Sequence, residues 1–274
     1  MSAFRANMRR PVRCFSTLGC AELDLDAVLQ LASQHGIPTV EVRALSGSTD
    51  LPQILAGRYG TPDGMEAALR EKPSRMVAIG TSLRLIGNTP EDRESFLRIV
   101  PWAEAAGVRT LRLFDGGHAA DAAEMEDALR TLDWWREIRA RNGWTVDVNV
   151  ETHDSLVTLA ALERFCRLVS ECPVLWDSHH TWRKGGADPL KVWQCLQPHV
   201  SHIHVKDSIS LPGPRLPYSY VLPGEGEFPM AALSAVLRRD GYTGLLSLEW
   251  ERLWHPELPE LGEALRSAAQ HGWW

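Results

Sequence analysis

What most constrains this chain is an eightfold alternation of short β-rich runs with longer stretches of helical spacing. The runs are Val12–Leu18, Thr39–Arg43, Arg75–Thr81, Arg109–Phe114, Thr145–Glu151, Pro173–Asp177, Val200–Lys206 and Leu245–Trp250. Between them apolar residues recur at helical spacing, as in Leu25, Val28, Leu29 and Ala32. Helix boundaries carry their own chemistry. Thr89-Pro90-Glu91 puts Pro in a first turn with an acid behind it, His35-Gly36 ends the first helix, and Asn142-Gly143 ends one that opens near Asp121. The Thr89 helix is expected to run to Gly107. Others are expected near Pro62–Arg70, Ser155–Val169, Pro189–Leu196, Pro229–Asp240 and Glu257–His271. Loops are expected after the second strand and over Asp207–Glu227, a stretch rich in proline and glycine.

Strands alternating with helices predict a parallel sheet, and eight such pairs in 274 residues predict closure into a single (β/α)8 TIM barrel of the α/β class. An open doubly wound sheet competes, but no GxGxxG follows the first strand. One domain is expected over residues 1–274, with residues 1–11 as an N-terminal extension.

Composition narrows the function. A 44% hydrophobic content suffices for a full core. A formal net charge of −6 with no block of Lys or Arg offers nothing to nucleic acid or an anionic membrane. The five cysteines form no CxxC pair, which fits free thiols in a reducing compartment. Arg5, Arg9 and Arg10 are followed by no apolar segment, and no run is long enough to span a bilayer. A cytoplasmic protein acting on a small molecule is the expectation, with oligomeric state left open, a homo-oligomer included.

Barrel strands alternate inward and outward side chains, and active sites of such barrels lie at the C-terminal ends of the strands. Four successive strands end there in Glu151, Asp177, His204 and Glu249. Alone, each is an ordinary partnered residue. Together, on strands about 4.8 Å apart, three carboxylates would repel one another unless a cation lay between them. One divalent metal ion is therefore expected; Mn2+, Mg2+, Co2+ or Zn2+ would each suit the donor set.

Other candidates have bland alternatives. His180, in Trp-Asp-Ser-His-His, could reach a substrate hydroxyl or be a surface-loop histidine. Lys206 shares parity with His202 and His204 and could hold an oxyanion or simply an ion pair. Arg43, in parity with Glu41, and Arg112 could bind a polar substrate, or these charges could pair with one another. His153 could support a ligand. Trp176, Trp182, Trp250 or Trp254 could wall a sugar pocket.

Val-Glu-Val-Arg (40–43), Val-Glu-Thr-His-Asp (150–154), Trp-Asp-Ser-His-His (176–180), His-Ile-His-Val-Lys-Asp (202–207), Pro-Gly-Glu-Gly-Glu-Phe (223–228) and Leu-Ser-Leu-Glu-Trp-Glu (246–251) resemble, in order and spacing, the xylose isomerase-like sugar isomerase/epimerase superfamily. The resemblance implies Glu151, Asp177, His204 and Glu249 as metal ligands, Glu151 and Glu249 as the acid/base pair, and His180 as a substrate contact. It departs from the ketose 3-epimerases at Ser210 and Val157, where those enzymes carry a substrate-binding Arg and a Glu.

The expected activity is metal-dependent isomerisation or epimerisation of a sugar or keto-polyol by proton transfer through an enediolate. The absence of a glycine-rich phosphate cradle favours an unphosphorylated substrate. Dehydration of a keto-polyol, as by inosose dehydratase, is the nearest alternative. An abasic-site endonuclease and a non-catalytic sugar-binding barrel are more distant ones.

Overall fold

A computed structural model describes residues 10–274, so the expected extension over residues 1–11 lies outside the described residues apart from Arg10 and Pro11. Ten strands follow one another along the chain: β1 (Val12–Phe15), β2 (Thr39–Val42), β3 (Arg75–Arg84), β4 (Thr110–Phe114), β5 (Asp147–Glu151), β6 (Val174–Asp177), β7 (Val200–Val205), β8 (Asp207–Ile209), β9 (Ser219–Val221) and β10 (Leu245–Leu248). Eight pair in parallel in the order β1-β10-β7-β6-β5-β4-β3-β2. A parallel bridge between Ser16 and Glu41 brings the two ends of that order together, giving the expected α/β TIM barrel.

The pleat sorts the side chains. One parity, including Ile79, Leu111, Val150, Trp176, Ile203 and Leu248, is buried in the hydrophobic core under the surrounding helices. The opposite parity carries Glu41, Arg112, Glu151, Asp177, His204 and Glu249, all of them buried too. A barrel usually fills its interior with branched apolar residues; here the upper interior is ionic. That choice costs stability unless the charges are partnered.

Helices alternate with the strands: α1 (Leu25–Gln34), α2 (Leu51–Tyr59), α3 (Pro62–Leu69), α4 (Pro90–Leu97), α5 (Val100–Ala105), α6 (Ala122–Asn142), α7 (Leu159–Leu168), α8 (Ser178–Arg183), α9 (Pro189–Leu196), α10 (Met230–Arg239) and α11 (Leu261–Gln270). Most start at a side-chain cap, each contributing about 1 kcal/mol; Asp24, Asp121 and Thr158 accept from the third residue on. Gly143 takes φ 65° to end α6 in the left-handed cap that Asn142-Gly143 predicts.

Four departures from the sequence expectation have local causes. Part of the loop after β2 is helical, because Asp50 caps α2 and Pro52 fits its first turn. The Thr89–Gly107 helix is two helices, since Pro101 lacks an N–H and is accommodated in the first turn of α5. The helix expected from Ser155 starts later. The Asp115 carboxylate holds the intervening turn by accepting from Asp154 N at 2.7 Å and Leu156 N at 2.5 Å. The Asp207–Glu227 loop contains an antiparallel ribbon of β8 and β9, anchored where Asp207 accepts from the backbone of Gly224, Gly226 and Phe228 at 2.9–3.0 Å. No helix among the described residues is long and apolar enough to cross a membrane.

Candidate metal centre and active site

Glu151 ends β5, Asp177 ends β6, His204 lies near the end of β7, and Glu249 follows β10. Register brings them level: Asp177 pairs with His204, and His204 pairs with Ser247, two residues before Glu249. One ligand atom from each of Glu151, Asp177, His204 and Glu249 lies within 4.8 Å of all the others. That span is close to twice a metal–ligand bond of about 2.0–2.2 Å.

The decisive atom is His204 Nδ1. Its ring partner Nε2 donates to Glu41 Oε2 at 2.8 Å, and Ser247 Oγ donates to the same oxygen at 3.2 Å. Nδ1 then faces Glu249 Oε1 at 3.2 Å, Glu151 Oε1 at 3.6 Å and Asp177 Oδ2 at 4.0 Å, and forms no hydrogen bond. Asp177 Oδ2 and Glu151 Oε2, also turned to this centre, are buried and met by ion pairs alone, from Lys206 Nζ at 2.9 Å and Arg112 Nε at 3.1 Å. A nitrogen lone pair among carboxylate oxygens is repulsive, and a cation at their centre resolves it. The carboxylate–imidazole pair behind the nitrogen is the usual way a metal-binding histidine is oriented. The residues present therefore fit a divalent ion.

Charge points the same way. Four buried carboxylates (Glu41, Glu151, Asp177, Glu249) and the part-buried Glu251 face three buried cations, Arg43, Arg112 and Lys206. With neutral imidazoles the cluster is short of positive charge by about what a divalent ion carries. Burial alone would raise Glu151 and Glu249. The Arg112 guanidinium outweighs it for Glu151, and His204 and Lys206 do so for Glu249, holding both below the usual carboxylate range. Glu41 is held down at about 2, burial being outweighed by the His204 and His202 imidazoles. Burial wins at Asp177, pushing it up to about 6 against the pull of Lys206. His204 is raised well above an ordinary imidazole, burial being overcome by Glu249 and Glu41. Its proton occupies the place of a cation and would have to leave for one.

The remaining candidates divide clearly. Lys206 is fully buried and committed to ion pairs with Asp177 Oδ2 at 2.9 Å, Glu251 Oε1 at 2.5 Å and Glu249. Arg112 Nε pairs with Glu151 Oε2 at 3.1 Å, with its guanidinium 3.8 Å from the centre of the Phe114 ring. Glu41 pairs with His204 rather than with Arg43. His180 is buried on α8 rather than in a surface loop. Asp177 Oδ1 caps that helix by accepting His180 N at 2.8 Å, so one aspartate oxygen sets the imidazole in place and the other faces the centre. His153 pairs with Asp154 at 2.8 Å instead of backing a ligand.

Arg43, Arg112, Glu151, His180 and Glu249 line a cavity of about 170 Å3 above the cluster. Its greasier wall is Leu18, Phe114, Leu216, Tyr218 and Trp254. Of the four tryptophans considered, only Trp254 is there. Trp176 stacks on Trp193 outside the barrel, Trp182 packs on Phe228, and Trp250 is buried with Nε1 donating to Pro259 O. Sequence reasoning missed Glu251, Lys184, Tyr218 and Tyr220. Glu251 shares parity with Glu249 and could have been found. The tyrosines lie in an aperiodic loop that carries no such signal. Ser210, at the position where ketose 3-epimerases carry an Arg, is absent from the cavity and is held by Arg183 and Glu227.

Residues 29–271 match the xylose isomerase-like TIM barrel family. The chain belongs to that family. No curated protein matches the chain. Among solved structures, a probable 3-DHS dehydratase, AsbF from Bacillus anthracis, is 19% identical over 94% of this chain and 98% of its own, with a TM-score of 0.75. The IolI protein, solved with a bound zinc atom, is 17% identical over 95% and 96%, at 0.74. The 3-keto-D-glucoside 4-epimerase YcjR from E. coli is 15% identical over 96% and 99%, at 0.67. At such identities the likeness shows the fold. The xylose isomerase-like TIM barrels that resemble this chain thus include a dehydratase and an epimerase as well as a zinc-binding protein.

Proposed function

We propose that this chain is a divalent-metal-dependent isomerase or epimerase of a small sugar or keto-polyol, with Glu151, Asp177, His204 and Glu249 as the metal ligands. The observation that carries the reading is His204 Nδ1, buried without a hydrogen bond among three carboxylates. When bound, the ion would supply Lewis-acid stabilisation of the negative charge a substrate carbonyl gains as its α-proton leaves. The proton itself is moved by the chain. Glu151 and Glu249 stand at the two ends of the ligand arc, both held anionic by basic neighbours, so either can accept a proton and the other return one. His180, neutral because burial and then Lys206 hold it well below its usual value, is placed to hydrogen-bond a substrate hydroxyl. Arg112 and Lys206 fix the two glutamates in direction and charge. Tyr218, Leu216 and Trp254 give the cavity an apolar side against which a substrate's carbon skeleton can rest.

The same intermediate leads to dehydration where a β-hydroxyl can leave, so the test must see both outcomes. Ketoses, keto-acids and inososes are incubated with the Mn2+-loaded protein in D2O and followed by NMR. Deuterium should enter one carbon next to a carbonyl. Full turnover of a substrate without any solvent deuterium at carbon would reject proton transfer as the chemistry.

A further inference from the structure

Three cations are buried in the barrel mouth, and they are not alike. Lys206 is held by Asp177, Glu249 and Glu251, and Arg112 by Glu151. Among the described residues, Arg43 has no carboxylate at ion-pair distance. It is only 8% exposed, and its one side-chain hydrogen bond runs from Nη2 to Ser82 Oγ at 3.1 Å. A guanidinium carries five N–H donors in a planar fork, so most of the fork is left for something else. What it faces is the cavity that Glu151, His180 and Glu249 also line.

The surroundings are built to put it there. Thr17 Oγ1 accepts Arg43 N at 2.9 Å and Ala44 N at 3.1 Å, tying the end of β2 to the turn after β1. Gly80 on β3 supplies the room: a Cβ there would stand 2.8 Å from Arg43 Cδ and 2.9 Å from Arg112 Nη2. A second cation, Lys184, lines the same cavity with its Nζ donating only to His153 O at 3.2 Å. Burying a cation without a counter-ion at ion-pair distance is costly, and an anion entering the cavity would supply one.

We infer that the substrate of this site carries a carboxylate, held by the Arg43 fork, so that the enzyme acts on a compact polyhydroxy or keto acid rather than on a neutral sugar. This rests on reading the cavity as the active site and names the substrate class of that site. The planar fork matches the two oxygens of a carboxylate. A dianionic phosphate would be repelled more strongly by Glu249 and Glu251 across the same cavity. The volume of about 170 Å3 is below the ~300–1,000 Å3 of pockets that take drug-sized ligands, which also favours a small acid.

The test compares D-gluconate with D-glucitol, which differ only in a carboxylate against a hydroxymethyl group, and with D-glucitol 6-phosphate. Calorimetric titrations use the full chain, with Mn2+ and with chelator, at fixed ionic strength. Gluconate should bind at least about tenfold more tightly than glucitol. Arg43→Gln should abolish the difference while leaving glucitol binding within about threefold, and Arg43→Lys should recover part of it. Equal affinities, or no measurable gluconate binding to the unmutated protein, would overturn the inference without reference to any variant. A preference undiminished in Arg43→Gln would overturn it as well, as would tighter binding of the phosphate ester than of gluconate. These are binding measurements only. A protein that prefers gluconate through Arg43 yet exchanges no deuterium would defeat the proton-transfer reading and leave the substrate class standing.

Discussion

Glu41 does not line the cavity, yet it decides how His204 presents itself. By accepting the Nε2 proton at 2.8 Å it leaves Nδ1 as the face turned to the carboxylates. Glu41→Ala should therefore weaken Mn2+ binding about 10–100-fold, read by calorimetry, with the circular dichroism spectrum unchanged; unaltered affinity would remove Glu41 from the site. Glu249→Gln should keep the fold and lower turnover by orders of magnitude, because an amide cannot carry the proton. Near-normal rates on the true substrate would refute the acid/base assignment. Asp177 sets the pH behaviour. Its value in the folded chain, about 6, stands above the usual 3.8. Its contribution to metal-free stability is thus fully present below about pH 4 and lost as pH rises through 6. Metal binding has the opposite sign, since the ion needs the carboxylate deprotonated. Mn2+ affinity should fall steeply, by up to about tenfold per unit, as pH drops below 6, and a flat profile from pH 5 to 7 would contradict Asp177 as a ligand.

At the scale of elements, α8 and the β8–β9 ribbon roof the site. One carboxylate is shared between helix and centre, Asp177 capping α8 through Oδ1. Another, Asp207, gathers the segment that leaves the ribbon by accepting from Gly224, Gly226 and Phe228 N–H besides that of Ser208. Arg183 on α8 reaches across to Ser208, Ser210 and Glu227, joining helix to ribbon. Asp207→Ala strands those donors and should cost about 3 kcal/mol. It should loosen Tyr218 and Tyr220 at the cavity, so protease cleavage near residues 211–217 should appear before the barrel unfolds. A variant as protease-resistant as the parent would show that the ribbon is held by something other than Asp207.

For the whole molecule, an ion held as proposed by four adjacent strands would tie one side of the barrel together and belong to the folded state alone. Saturating metal at about 100 times its dissociation constant adds about 2.7 kcal/mol, which for a chain of this size corresponds to a rise of about 5 °C in Tm. Scanning calorimetry with Mn2+ and with a chelator should show that difference, and Tm values that coincide would argue that the cluster is satisfied without an ion. At the cavity Arg43, Arg112 and Lys184 stand against Glu151, Glu249 and Glu251, so what would admit an acid substrate to a chain of −6 charge is the unengaged Arg43 fork rather than a basic wall.

Periodicity, caps and strand ends were legible in the chain itself, because they depend on neighbours three or four residues apart or on strict alternation. Eight β/α units, the α6 terminus at Gly143, and the positions of Glu151, Asp177, His204 and Glu249 at successive strand ends all follow from such local rules. Pairing is different. Whether Glu41 meets Arg43 or His204, whether Lys206 is free or triply engaged, and which tryptophan faces the cavity depend on register around the barrel and on the aperiodic Asp207–Glu227 segment. Only closure of the sheet decides those contacts, because it brings β2 against β1 and across the interior from β7, over separations of more than 160 residues, where no sequence pattern carries information about partner choice.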